Sequence, residues 1–174
     1  MIPALRAAYN AAFTPEKYAA FVKELSDTHP GQLDFRVAET PIFVPRAFKE
    51  QMLESCERII DAILDPSYPA RSEGAIPPQL RVPAEDAHPQ FIAFDFGICT
   101  APGGGVEPQL IEMQGFPSLF AYQVLFPEVH ARHFEKPVGF SNYLNGFDKE
   151  SYLALLRRRR EVDMAADAGD HARA

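Results

Sequence analysis

The chain has 174 residues, 47% hydrophobic and 24% charged, which suits one soluble globular domain of ordinary size with a sizeable core. Its formal net charge of -7 argues against general nucleic-acid binding, because phosphates require a basic footprint, and against an anionic membrane surface. Two cysteines, Cys56 and Cys99, are too few for a disulfide framework and read as reduced, buried small hydrophobes. The opening MIPALRAAYN lacks the long apolar core of a signal peptide, and no apolar run is long enough to span a bilayer. The expected location is the cytoplasm of a microbe.

Residues 3–12 read as a helix with Leu5, Ala8, Tyr9 and Ala12 on one side. Thr14-Pro15-Glu16 reads as an N-cap with proline in the first helical position, opening a second helix. Its apolar face is Phe21, Val22 and Leu25, and it should stop near His29-Pro30-Gly31. FRVAETPIFVP, residues 35–45, is extended in character, but its prolines keep it out of a regular central strand. Residues 46–64 form the clearest helix: Phe48, Met52, Leu53, Cys56, Ile59, Ile60 and Ile63 recur at helical spacing, and Asp65-Pro66 ends it. The proline-rich stretch 66–89 shows little periodicity and reads as a long connection. QFIAFDFGIC (90–99) and QLIEMQ (109–114) read as two strands of a hairpin joined by the flexible turn TAPGGGVEP. A helix is expected from about Ser118 to Phe134, and Asp148 should cap a last one through about Leu156. The fold class expected is α+β: a small, mostly antiparallel sheet with a central hairpin, flanked by helices. The organisation expected is one region over 1–156 and a charged, alanine-rich, poorly ordered tail over 157–174. Arg157 to Arg160 read as the solvated, basic end of the last helix.

The chemistry concentrates on the hairpin. Glu112 and Gln114 are two apart in a strand and so project from one face. Asp95, in the partner strand, joins them if the register allows. Two carboxylates and a carboxamide oxygen would then converge, a donor set suited to a hard divalent cation. Ser118, opening the next helix, would add a hydroxyl and helix-start N–H groups that favour an anion. On spacing alone the same residues also read as polar side chains on a half-solvated sheet face. Against that, FIAFDFGI is too apolar to carry a carboxylate without a reason.

FDF…LIEMQGFPSL resembles the signature of the ATP-grasp ligases, and is most similar to their circularly permuted, glutathionylspermidine-synthase-like branch. There an Asp in a "DF" strand is followed by "E-x-N" and a turn of small residues and proline. Those three side chains hold the Mg²⁺ of ATP, and hydroxyls after the turn contact the transferred acyl phosphate. The resemblance implies Asp95, Glu112 and Gln114 as metal ligands and Ser118 as a substrate contact. FRVAETPIFVP and FSNYLNGFDKESYLALL also resemble the front half of uncharacterised bacterial proteins related to ATP-grasp enzymes. The departures are Gln114 where the family has Asn, Ala93 where related synthases carry Arg, and a turn one residue shorter. After Leu156 there is no region for an adenine clamp or for phosphate-holding lysines. PGGGVEP is no phosphate loop either, because it lies between strands and lacks the Lys-Ser/Thr pair.

His130 and His133 share a helix face, but zinc would need a third ligand, so surface histidines are the expectation. Arg36 could fork to a substrate carboxylate or phosphate, or pair with Glu39. Phe116, Phe120, Tyr122 and Phe126 read as packing residues, and GFPSLF lacks a nucleophile elbow. The function implied is a fragment or remnant of an ATP-dependent carboxylate–amine ligase, using Mg²⁺ and ATP with small-molecule acid and amine substrates, inactive as this chain alone. The compositional change at Arg157 suggests the front part of a longer enzyme. The alternative is a non-catalytic binding or interaction module that keeps the sheet and lacks the nucleotide clamp. No nucleic-acid or membrane partner is expected, and oligomeric state is not readable from these residues.

Overall fold

A computed structural model describes residues 2–81, 91–115 and 119–158. The architecture is α+β, with helices and, among the described residues, one two-stranded antiparallel sheet. In chain order the elements are α1 (Pro3–Ala12), α2 (Pro15–Thr28), α3 (Arg46–Leu64), α4 (Tyr68–Ser72), β1 (Ala93–Thr100), β2 (Val106–Gln114), α5 (Tyr122–His133) and α6 (149–158). The chain divides into two compact units, one of residues 1–6 and 42–117, the other of residues 7–41 and 118–174.

The first unit holds α3, α4 and the hairpin. Pro45 precedes α3, and Pro66 ends it by forcing Asp65 to ψ 127°, outside the helical region. Phe43 and Phe48 are the buried side chains among its described residues. Met52, Cys56, Ile59, Ile60 and Ile63 are half-buried along one stripe, and α3 packs against β2. The hairpin loop closes with Gly104 N–H donating to the Ala101 carbonyl at 2.9 Å. Gly104 and Gly105 hold φ of 87° and 83°, a left-handed conformation that favours glycine. The glycine run is thus a turn between the two strands, as its context implies.

In the second unit α2 packs against α5. The Thr14 hydroxyl caps α2 by accepting the Lys17 N–H at 3.2 Å, with Pro15 in the first turn. Phe21, Leu25, Val124, Val129 and Phe134 form the core with Tyr9 and Val37. Burying each such side chain contributes about 1.5–3 kcal/mol. α5 contains Pro127, which cannot donate to the carbonyl four residues back, that of Gln123. Asn142 Nδ2 donates to that carbonyl instead, at 3.2 Å. Asn145 and Gly146, at φ 57° and 77°, form the turn that brings Phe147 N–H to the Leu144 carbonyl at 3.0 Å. Asp148 caps α6 by accepting the Ser151 N–H at 2.8 Å. Arg157 and Arg158 extend α6 and are exposed, as a solvated basic helix end requires.

Several expectations are corrected. The long connection after Pro66 carries local structure that its lack of periodicity hid: α4 and two short 3₁₀ turns, Glu73–Ala75 and Pro78–Leu80, occupy it as far as Leu80. Asp65 supports their start, its Oδ1 accepting the Ser67 N–H at 2.8 Å. α5 begins at Tyr122 rather than Ser118. Cys99 is exposed and Cys56 half-buried, so neither is a core residue; both are free thiols, as expected. His130 is buried, not on the surface. Residues 82–90, 116–118 and 159–174, which include His88, Phe116, Ser118, His171 and most of the expected tail, lie outside the described residues. Among the described residues no helix is long and apolar enough to cross a membrane.

Candidate functional site

β1 and β2 pair with Ala93 opposite Gln114 and Asp95 opposite Glu112. Directly opposed residues of antiparallel strands project to one side, so the three sequence-identified side chains share a face. The register then shifts: Phe96 lies opposite Leu110, leaving Ile111 as an extra residue. This bulge has a consequence for chemistry. Beyond it Gln109 faces Gly97 and Glu107 faces Cys99. Glu107 and Glu112 are an odd number of residues apart and would point to opposite faces of a regular strand. The bulge returns both Glu-x-Gln pairs to the Asp95 face. The other face carries Phe94, Phe96, Ile98, Leu110 and Met113.

On the polar face the Gln114 carboxamide ties the carboxylates together. Its Nε2 donates to Asp95 Oδ2 at 3.4 Å and to Glu112 Oε1 by a shorter bond. Gln109 Nε2 likewise donates to Glu107 Oε1 at 2.9 Å. Asp95 and Glu112 are exposed. The donor set, two carboxylates and a carboxamide, is all-oxygen once the amide turns about its last torsion to present its carbonyl. Hard cations take such ligands, and Mg²⁺ completes its shell with water or phosphate oxygens. The residues present therefore fit a divalent cation with open positions. They do not form a closed cage: among the described residues no group of three or more His, Cys, Asp or Glu could hold a metal by itself.

Arg36, read as a possible anion fork, forms an ion pair with Glu39. That hydrogen bond raises the affinity of Arg36 for its proton and holds the Glu39 carboxyl below its usual range. Arg36 belongs to the second unit, whereas the carboxylate cluster belongs to the first. Ser118 lies outside the described residues.

The two helical histidines have separate partners and make no joint site. His133 Nε2 meets Glu24 Oε2 at 2.7 Å, and Arg132 pairs with the same carboxylate. Both contacts lower the Glu24 pKa, His133 contributing most. His130 sits in an aromatic box of Phe21, Phe126, Phe134 and Tyr9, with its ring 4.9 Å from that of Phe134. Its Nε2 lies 3.1 Å from Tyr9 Oη, which donates to the Glu39 carbonyl at 3.1 Å. Burial pushes its pKa down, with Lys136 and His133 adding repulsion. Sequence reading missed this box because Tyr9 and His130 are 121 positions apart. The helical period places His130 on an apolar stripe with Phe126 and Phe134, and that was the available signal.

No protein-family model matches this chain, and no curated protein or solved structure matches it either.

Proposed function

We propose that the polar face of the β1–β2 hairpin binds a divalent cation, Mg²⁺ with the phosphates of ATP, as part of an ATP-grasp-like carboxylate–amine ligase. One observation carries this reading: Asp95 and Glu112 oppose each other, and Gln114 bonds to both. Asp95 and Glu112 would hold the cation by their carboxylates, and Gln114 would add its carbonyl after releasing them. The bulge at Ile111 keeps Glu107 and Gln109 on the same face, where they extend the acidic, hydrogen-bonding surface around the cation. When bound, Mg²⁺ neutralises phosphate charge that moves during phosphoryl transfer. The acid and amine joined by such a ligase are small molecules. Open coordination positions suit this use, because substrate phosphate oxygens fill them.

A second reading is a non-catalytic binding module that keeps the hairpin. It is favoured by Gln114, a longer side chain where the ATP-grasp pattern has Asn, whose N–H groups bond to both carboxylates.

Calorimetric titration of the chain with ATP, in Mg²⁺ and in EDTA, tests the choice. The ligase reading expects Mg²⁺-dependent ATP binding that Glu112→Ala abolishes while the thermal midpoint is kept. ATP binding that ignores both Mg²⁺ and the substitution refutes it. A fragment lacking the nucleotide clamp and a module both fail to bind ATP; Mg²⁺ binding to the hairpin that Glu112→Ala removes then separates the fragment from the module, which binds no Mg²⁺.

A further inference from the structure

The second unit contains a cleft of about 390 Å³, within the size range of small-molecule sites. Its walls are Tyr143, Tyr152, Phe147 and Leu155, and none of its described lining residues is charged. The rings of Tyr143 and Tyr152 lie 5.6 Å apart, tilted at 51°. Gln123 and Asn145 also line it, and their carboxamides make no hydrogen bond among the described residues. Nearby charges are engaged elsewhere: Asp148 by Ser151, and Lys149 by Glu128.

The cleft is held in shape without a ligand. Asn142 ties the 137–147 segment to α5 through the Gln123 carbonyl, and Tyr152 Oη donates to the Phe120 carbonyl at 3.3 Å. A preformed site avoids the ordering cost that weakens binding.

We infer that this cleft binds a small, flat, uncharged ring compound with hydrogen-bonding groups on its edge. Aromatic and aliphatic walls take the ring face. Neutral carboxamides both donate and accept, and so match an edge carrying both kinds of group. A charged ligand would lose its hydration with no counter-ion among the described wall residues. The inference is independent of the cation reading, because every lining residue belongs to the second unit.

The test is a titration with 4-hydroxybenzamide followed by amide NMR, with benzoate as a charged analogue of similar shape. Saturable shifts confined to residues 123, 142–147, 152 and 155 are expected, with a dissociation constant on the order of 1 mM for so small a probe. Benzoate should bind at least about tenfold more weakly. Leu155→Trp fills the cleft and should abolish the shifts. Gln123→Ala, at an exposed position that leaves the core intact, should weaken binding about fivefold, the loss of one hydrogen bond. Scattered or unsaturable shifts, benzoate binding as well as the amide, or unchanged binding in either folded variant would overturn the inference.

Discussion

Asn142 gives the Gln123 carbonyl the hydrogen bond that Pro127 cannot, although Asn142 and Pro127 are far apart in sequence. A proline inside a helix removes one backbone donor and leaves a carbonyl without its partner. Here a side chain from the loop after α5 supplies the donor, and the same bond anchors the wall of the cleft. Asn142→Ala should cost about 1 kcal/mol of unfolding free energy, the net worth of one hydrogen bond. In a Pro127→Ala background the restored backbone N–H can reach the carbonyl, and Asn142→Ala should then cost clearly less. A urea double-mutant cycle measures the difference. Equal costs in the two backgrounds would show that the bond does not compensate for the proline.

Tyr122 offers a test of opposite sign. Among the described residues its hydroxyl is buried without a hydrogen-bond partner, while its ring packs on Phe35 and Phe126. Burial accordingly raises its pKa. An unpaired buried hydroxyl costs about 1–3 kcal/mol. Tyr122→Phe removes the hydroxyl and keeps the ring, so it should stabilise the chain by about 1 kcal/mol in urea denaturation. A loss of stability would reveal a partner for the hydroxyl.

His130 makes stability depend on pH. Its folded-state pKa is depressed, mainly by burial. The unfolded chain therefore binds the proton more readily, and stability rises with pH where that difference is felt. The contribution is complete above the unfolded value of about 6.5 and is lost as pH falls from there toward the folded value. Facing groups are His133 and Lys136, which repel the proton, while Glu24 is already engaged with His133 and Arg132. The Glu24 carboxyl, held low by these partners, gives a separate loss at more acid pH. His130→Phe keeps an aromatic ring in the box and should flatten the thermal midpoint between pH 7 and about pH 5 relative to the parent chain. An unaltered slope would place the sensitivity elsewhere.

The carboxylate pair on the hairpin should trade stability for binding. Directly opposed like charges on neighbouring strands repel. Asp95→Asn and Glu112→Gln should each leave the thermal midpoint unchanged or raise it in EDTA, while removing any rise produced by Mg²⁺. A substantial fall in EDTA would assign the pair a structural role.

Local features were legible in the sequence where one element carried its own signal. Thr14-Pro15 marked the start of α2, the apolar period and Asp65-Pro66 bounded α3, and the Phe-rich and Glu-x-Gln segments gave the hairpin. The convergence of Asp95, Glu112 and Gln114 was an expectation conditional on register, and the register satisfies it. The bulge at Ile111 was not legible, because an extra residue in a strand leaves no compositional mark, yet it decides which face Glu107 and Gln109 occupy. The burial of His130, the exposure of Cys99 and the Asn142–Gln123 bond depend on distant partners or on missing cover, which local periodicity does not encode.

The most direct test of the central claim is to add Mn²⁺, a paramagnetic stand-in for Mg²⁺, and record which amide signals broaden. Selective broadening at Asp95, Glu112 and Gln114, reversed by excess Mg²⁺ and absent from Glu112→Gln, is the predicted result. No broadening at these residues, or broadening that survives the substitution, would contradict a divalent-cation site on the hairpin.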